Sequence, residues 1–205
     1  MIDQAKSAAA HVSRSKNREI RCQVALLYPS YDHELVNTFK SSDCLLIGGD
    51  EDDVLSRYIQ AQETSGCDYL VRLTSDCPLM LDYVIVKHIN VAAYNFVDYA
   101  SNIEESCRTV ADGFDCEVLS KRAMSWLKAN AVTKEDKEHV TTAIRRVRPL
   151  SLKQAFVSMK IDTAHMKMSV DTPEDLERMR AYYEARENKK REAIRIFGAS
   201  QIYEL

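Results

Sequence analysis

The feature that most constrains the fold of this 205-residue sequence is a regular alternation of short apolar runs with helix-forming segments. Several runs stop at Gly or Pro, as strands do, and the longer segments carry apolar residues at helical spacing. Predicted strands cover residues 20–28, 44–47, 68–73, 97–102, 116–119, 154–159 and 166–170. Predicted helices cover residues 2–16, 50–65, 82–96, a segment around Trp126, 135–148 and 173–196. This order predicts the α/β class, as a three-layer α/β/α domain around a mostly parallel mixed sheet.

Composition narrows the class of protein further. The length suits one domain over residues 1–205. Residues 189–205 are predicted to be a basic helical tail, whose charged side chains are expected to face solvent. A net charge of -3 gives no global basic field for nucleic acid, and no apolar run is long enough to span a bilayer. Residues Met1 to Lys6 lack the apolar core of a signal peptide. The six cysteines form no CxxC pair, which favours reduced thiols in a cytoplasmic protein over disulfides or a zinc site.

Two aspartates stand where predicted strands end and helices begin, Asp76 in TSDCPL and Asp171 in VDTPED. Ligands of open α/β sheets bind at the carboxyl ends of the strands, and Mg²⁺ takes one or two carboxylates together with substrate phosphates. An alternative explanation of Asp76 is that it starts a turn which Pro78 stiffens. The second motif is also explained by a helix start, with Thr172 as N-cap and a capping box, although this leaves Asp171 unexplained. The joint placement of the two aspartates favours a magnesium site.

A third acidic group follows in Asp112-Gly113-Phe114-Asp115-Cys116-Glu117. Asp-Gly is a strong hairpin signal, so one alternative is that Asp112 and Gly113 only form a turn. Asp115 and Glu117 alternate along the strand and share one face, where they would hold sugar hydroxyls or a cation, or simply face solvent. Arg72, inside the strand before Asp76, would reach a phosphate at the strand end or lie on an exposed edge.

The motifs that define other common classes of catalytic or nucleotide-binding site are absent from the sequence. The sequence has no Gly-x-Ser-x-Gly, no Walker loop and no Gly-x-Gly-x-x-Gly, which removes the usual basis for serine hydrolase, P-loop and dinucleotide-binding functions. Asp50-Glu51-Asp52 has the spacing of a glycosyltransferase metal motif, but it is more typical of a helix N-terminus. His139 is expected to be a surface or core residue of its helix and not a catalytic base.

Taken together and in this order, several segments resemble the spore coat polysaccharide biosynthesis type of cytidylyltransferase, a group similar to the CMP-Kdo and CMP-sialic acid synthetases. The matching segments span most of the chain and are specific as a set. They are residues 49–58 (GDEDDVLSRY), 69–80 (YLVRLTSDCPLM), 98–102, 108–118, 138–141 and 169–176.

The resemblance implies a nucleotide-diphospho-sugar transferase fold and a reaction in which a sugar attacks the α-phosphate of CTP and releases pyrophosphate. It implies that Asp76 and Asp171 are the catalytic residues that hold Mg²⁺. It further implies that nucleotide or sugar is contacted from segments containing Arg72, Asn102, Asp112, Asp115 and Glu117. Related synthetases form homodimers, and residues 98–116 are the segment expected to supply the interface here.

One departure from that family concerns the nucleotide site. Its members open with a strand and a loop of the type Gln-Ala-Arg-x-x-Ser-x-Arg-Leu-Pro-x-Lys, and this sequence begins at what corresponds to the following helix. The expectation is an N-terminally short domain without a central strand of the sheet. An alternative function therefore accompanies the first: a catalytically silent or truncated homologue that acts as a binding or partner subunit. Ser75 also replaces a residue that is usually Gly in the family.

Overall fold

The structure is a computed structural model that describes residues 2–13, 20–40, 43–160 and 162–197. The end of the predicted first helix, 14–16, and residues 198–205 of the predicted tail lie outside the described residues. The helices are α1 Ile2–Ser13, α2 His33–Phe39, α3 Val54–Ser65, α4 Asp82–Asn95, α5 Lys121–Asn130, α6 Lys134–Glu138, α7 Thr142–Val147 and α8 Pro173–Phe197. The strands are β1 Ala25–Pro29, β2 Leu45–Gly49, β3 Tyr69–Arg72, β4 Tyr99–Ser101, β5 Glu117–Ser120 and β6 Gln154–Phe156.

The strands form two sheets that share one covering helix. β1 and β2 pair in parallel, and the second sheet has the order β3-β5-β4-β6. In that second sheet β4 and β6 are parallel, whereas β5 runs antiparallel to both of its neighbours. Helix α3 follows β2 in the chain and contacts β1, β2 and β3. The predicted α/β class with a mixed set of parallel and antiparallel strands is confirmed.

Alternation along the central strand β5 divides the core between the two faces of the second sheet. Leu119 packs with Leu55 of α3 and with Leu127 and Ile144 from α5 and α7. Its neighbour Val118 packs with Ala92 of α4 on the opposite face. Successive side chains of a strand point to opposite faces, so helices cover both sides and produce three layers. Helix α1 extends the second layer, since its Ala8 packs against Met80 and Val84 beside α4.

The predicted continuous helix over residues 135–148 is wrong, because the chain turns at Val140. Val140 has a φ of 61°, which is rare for a β-branched residue, and Thr141 donates a backbone hydrogen bond to His139 at 2.6 Å. The Val140 side chain is fully buried in the core with Tyr99 and Leu119. Burial of this one side chain therefore outweighs the local preference for a continuous helix, and α6 and α7 are separate.

Other predicted boundaries also need correction. Residues 166–170 are not a strand of either sheet, since their ladder contact is a single bridge between Lys167 and Asp112. The backbone of this segment is bonded to two loops instead: Met168 donates to Asp112 at 2.6 Å and Val170 donates to Asp76 at 2.8 Å. The predicted strand at 20–28 is shorter at its start and begins at Ala25, and the strand predicted at 154–159 ends at Phe156.

Candidate active site

Asp76 and Asp171 belong to segments that lie side by side at one edge of the second sheet. Asp76 is in the loop that follows the carboxyl end of β3, and its carbonyl oxygen accepts the hydrogen bond from Val170 N at 2.8 Å. Asp171 is the next residue after Val170, two positions before helix α8 begins at Pro173. The backbone contact thus places the loop of Asp76 beside the segment that carries Asp171, and the use of the two carboxylates as a pair stays a prediction.

The 112–117 segment reaches the same edge because β5 is antiparallel to β3. Glu117, the first residue of β5, pairs with Arg72, the last residue of β3. Asp112 and Asp115 precede β5 and therefore also lie at the end of the sheet that carries Asp76. Antiparallel pairing explains how residues that precede one strand and residues that follow another share one site.

Gly113 allows the two halves of this site to touch. Its φ is 105°, and a Cβ atom at this position would lie 2.4 Å from the Met168 carbonyl carbon and 2.6 Å from Ser169 N. No other residue avoids that backbone clash. The Asp-Gly pair is therefore not only a turn: it lets the Ser169 Oγ donate to Asp112 Oδ2 at 2.7 Å. Ser169 Oγ is also 3.3 Å from Asp171 Oδ2, so the two candidate carboxylates compete for the single proton of this hydroxyl.

Two basic side chains neutralise these acids. The Lys167 ammonium lies 2.7 Å from Asp171 Oδ2, and Arg108 Nη2 lies 2.5 Å from Asp115 Oδ1 and 3.7 Å from Asp112 Oδ1. Burial raises the pKa of Asp115, and the adjacent Arg108 opposes that shift. Asp112 and Asp115 are partly exposed, and Asp171 is exposed, so all three remain accessible to a ligand.

The predicted capping box at the start of α8 is confirmed. Asp175 N donates to Thr172 Oγ1 at 3.2 Å, and Thr172 N donates to Asp175 Oδ2 at 3.3 Å. Asp175 Oδ2 also bonds Lys167, and together these contacts hold the pKa of Asp175 well below its usual range, with the Lys167 hydrogen bond as the largest cause. Because Asp175 does the capping, the Asp171 carboxylate is left for other contacts.

Arg72 and Glu117 form a buried ion pair beneath this edge. Arg72 Nη1 lies 2.8 Å from Glu117 Oε2, with side-chain exposures of 15% and 1%, and the Tyr99 hydroxyl donates to Glu117 Oε1 at 2.5 Å. Burial is the main reason that the pKa of Tyr99 is raised well above its usual value, and Glu117 adds to the shift. Of the alternatives left by the sequence, a solvent-facing Glu117 is wrong. Arg72 does lie on an edge strand, since β3 is the terminal strand of its sheet, but its side chain is only 15% exposed.

Asn102 is buried and bonded to the strand entry that carries Asp115. Its Nδ2 donates to the Phe114 carbonyl at 2.7 Å, and its Oδ1 accepts from Cys116 N at 2.9 Å. Both ends of the amide therefore hold the backbone on either side of Asp115. The contact with nucleotide or sugar expected for Asn102 stays a prediction, as do those expected for Arg72 and Glu117.

The acidic run after β2 starts a helix. Asp50 Oδ1 accepts from Asp52 N at 2.8 Å and from Asp53 N at 3.1 Å, and Asp53 caps α3 by accepting from Ser56 N at 2.9 Å. This use of the side chains confirms the helix N-terminus and removes the basis for a glycosyltransferase metal motif at Asp50-Glu51-Asp52.

The chemistry of the donor set fits a magnesium ion that arrives with phosphate. Within the described part of the chain, no three His, Cys, Asp or Glu side chains already converge as a metal-binding group. Asp76, Asp171 and the Ser169 hydroxyl are hard oxygen donors, however, and Mg²⁺ commonly takes one or two carboxylates and completes its shell with phosphate and water. In the structure the Lys167 ammonium is paired with the Asp171 carboxylate.

Sequence reasoning missed Arg108, Lys167 and Ser169. Arg108 and Asp112 are four residues apart, as are Lys167 and Asp171, which is the spacing of side-chain ion pairs on a helix. Neither pair lies on a helix. The four-residue spacing would therefore have identified the correct partners, but it would have predicted a helix that is not there.

None of the helices in the described residues has both the length and the apolar character needed to cross a membrane.

Comparison with known proteins identifies solved structures that have the same fold and a distant relative in sequence. No family model matches the sequence. The structure is similar to a cytidylyltransferase from Leptospira borgpetersenii with a TM-score of 0.74 and 22% identity, over 89% of this chain and 76% of that one. It is also similar to a CMP:2-keto-3-deoxy-manno-octonic acid synthetase complexed with CTP, with a TM-score of 0.61 and 11% identity, over 89% of this chain and 88% of that one. The chain shares the fold of these proteins.

A curated relative is an uncharacterized protein of Methanocaldococcus jannaschii, 31% identical over 121 residues. The match covers 59% of this chain and 48% of the relative, so the chain spans about half the length of the curated protein that it matches.

Proposed function

We propose that this protein is a Mg²⁺-dependent cytidylyltransferase that activates a sugar with CTP for surface polysaccharide biosynthesis. The observation that carries the proposal is the backbone hydrogen bond at 2.8 Å from Val170 N to the Asp76 carbonyl, which joins the loop after β3 to the segment that continues into Asp171. Strand ends are where ligands bind in this class of sheet. Two solved structures that share the fold are described as a cytidylyltransferase and as a synthetase complexed with CTP.

In the proposed reaction, a sugar oxygen forms a bond to the α-phosphorus of CTP, and the bond from that phosphorus to the bridging oxygen breaks. Pyrophosphate leaves, the sugar keeps CMP, and the proton of an attacking hydroxyl passes to water or to the pyrophosphate. Magnesium, when bound, would neutralise the triphosphate charge and help to align the groups for in-line attack. The carboxylates of Asp76 and Asp171 would hold the metal, and the Ser169 hydroxyl at 3.3 Å from Asp171 Oδ2 orients one of them.

The remaining predicted site residues divide by their accessibility. Asp112 and Asp115 are partly exposed, and we assign them to sugar hydroxyl groups, which carboxylates bind as hydrogen-bond acceptors. Arg72 Nη1, the Glu117 carboxylate and the Asn102 amide are bonded within the protein, whereas the buried Arg72 Nε has no partner among the described residues. We assign these three residues to the support of the strand entry that follows Asp115. In this arrangement the three buried or half-buried residues hold the protein backbone in place, and the two partly exposed aspartates contact the substrate.

A catalytically silent partner subunit is the second candidate, and one observation favours it. In the described part of the chain β1 and β3 belong to different sheets, whereas the resemblance implies one sheet with a further central strand. That strand would carry half of the CTP site. Weak or absent CTP binding by an otherwise folded protein would support this candidate.

The experiment that tests the proposed function is calorimetric titration of CTP into the protein with and without Mg²⁺, together with pyrophosphate release from a panel of acidic and amino sugars. We expect Mg²⁺-dependent CTP binding that weakens at least about tenfold in Asp171→Asn, the loss typical of removing one charged contact to a bound ion. The matched control is Asp68→Asn, whose carboxylate pairs with Lys121 at the surface. Unchanged CTP binding in Asp171→Asn, or no binding by the wild-type protein, rejects the proposal.

The predicted homodimer forms part of the same proposal. Residues 98–116, the segment expected at the interface, contain β4 and a short 3₁₀ turn at Glu105–Cys107. Light scattering at micromolar concentration should give twice the monomer mass, and a monomer mass would reject the dimer.

A further inference from the structure

The Lys167 ammonium is shared between two carboxylates at the start of α8. It lies 2.7 Å from Asp171 Oδ2 and 2.7 Å from Asp175 Oδ2. Lys167 is on the extended 166–170 segment, whose backbone is fixed to the Asp112 and Asp76 loops. The position of the base of this side chain is therefore set by the same contacts that build the candidate site.

The two carboxylates do not depend on Lys167 equally. Asp175 is buried and has further partners: Arg178 Nη2 lies 2.6 Å from its Oδ1, and the Asp171 and Thr172 amides donate to its Oδ2. Asp171 is exposed, and within the described residues its carboxylate has two polar side-chain partners, Ser169 and Lys167. Loss of Lys167 would leave Asp175 with Arg178 and two backbone amides, whereas within the described residues it would leave the Asp171 carboxylate with the Ser169 hydroxyl alone.

A divalent cation and this ammonium compete for the same oxygen. A Mg²⁺ ion bound to Asp171 Oδ2 would sit roughly 2 Å from that atom. The ammonium occupies the same carboxylate oxygen at 2.7 Å, so the two cations would come within a few ångströms of each other. Their repulsion at such separations is substantial even at the dielectric constant of water.

We infer that Lys167 is a resident counter-ion that keeps free divalent metal off Asp171, so that metal binds well only together with a polyphosphate. The inference rests on the proposed function for the identity of that polyphosphate. The triphosphate adds negative charge beside Asp171 and gives the ammonium another anion to contact. Metal and nucleotide then raise each other's affinity, as linkage requires. Lys167 is a positioning residue in this scheme, since it acts through Asp171.

The test measures Mn²⁺ binding to the free protein by electron paramagnetic resonance, without nucleotide or turnover. Lys167→Met should bind Mn²⁺ at least about tenfold more tightly than wild type, the size expected for a divalent ion roughly 4 Å from a screened ammonium. Lys167→Arg retains the charge and should stay close to wild type. Lys128→Met is the matched control, because Lys128 also pairs with a carboxylate, Glu63, at 2.8 Å. Circular dichroism checks that each variant is folded.

Equal Mn²⁺ affinity of wild type and Lys167→Met overturns the inference, and so does the absence of Mn²⁺ binding by both, because Lys167 would then not be the obstacle. Equilibrium dialysis of radiolabelled CTP, with and without Mn²⁺, tests the proposed function separately. If Lys167→Met gains Mn²⁺ affinity while CTP binds to neither protein, the counter-ion role stands and the nucleotide function fails.

Discussion

Glu117→Gln is the substitution whose effect on stability the structure determines most sharply. It keeps the size of the side chain and removes the negative charge that faces Arg72 Nη1 at 2.8 Å. Glu117 is 1% exposed and Arg72 is 15% exposed, so the guanidinium would be left mostly buried without its anion. The Tyr99 hydroxyl that donates to Glu117 Oε1 would also face a weaker acceptor or the amide group.

The expected cost follows from the burial of the pair. Removing one partner of a buried ion pair destabilises a protein by about 3–5 kcal/mol, because the other charge stays buried and uncompensated. The chain contains a matched control in Glu63→Gln. Glu63 and Lys128 are also 2.8 Å apart, but their side chains are 59% and 61% exposed. An exposed pair of this kind contributes at most about 1 kcal/mol.

The assay is urea unfolding followed by circular dichroism, with the free energy of unfolding compared among variants. A double-mutant cycle with Arg72→Met completes it: removing both charges should cost clearly less than the sum of the single changes, with a coupling of at least about 1.5 kcal/mol. The reasoning is refuted if Glu117→Gln costs no more than Glu63→Gln, or if the effects of the two single changes simply add.

Two further predictions concern pH and backbone conformation. Burial lowers the pKa of His88 from 6.5 to about 4, so the unfolded chain binds more protons between these values. The contribution of His88 to the free energy of unfolding should therefore be complete above pH 6.5, and the free energy of unfolding should fall by about 3 kcal/mol as the pH approaches 4. His88→Met should remove this share of the pH dependence in urea unfolding at pH 7 and pH 4.5, and an unchanged slope would contradict the assignment. Gly113→Ala should cost more than about 2 kcal/mol, because a φ of 105° and a Cβ atom 2.4 Å from Met168 C both oppose it. Gly66→Ala is its control: the φ of 65° is again positive but no atom lies within 4 Å, so a cost near 1 kcal/mol is expected. Equal costs at the two glycines would show that the contact with Met168 carries no weight.

Much of the fold could be read from local patterns. Helix α3 is one example: its apolar spacing and its end before Gly66 are visible in the sequence, although the helix begins at Val54 and not at the predicted residue 50. The capping box of α8 is another, because Thr172 and Asp175 are three residues apart and need no distant partner. Such features depend on residues within one or two helical turns, which is the range that sequence patterns describe.

Where local preference and burial disagree, the sequence misleads. Residues 135–148 carry helical spacing throughout, yet the chain breaks at Val140 so that this side chain can enter the core beside Tyr99. Residues 166–170 have the apolar character of a strand, yet their amides bond to Asp112 and Asp76 in loops. In both cases the deciding partner is tens of residues away in the chain.

The sequence by itself determined the α/β class, because that class follows from the alternation of strand-like and helix-like segments, and it predicted Asp76 and Asp171 as metal ligands. The tertiary structure decided which charges meet. It paired Arg72 with Glu117 inside the protein and placed Arg108 and Lys167 on the acids of the site. An ion pair depends on the distance between two atoms and on their burial. Both are set by the packing of segments that the sequence does not place side by side.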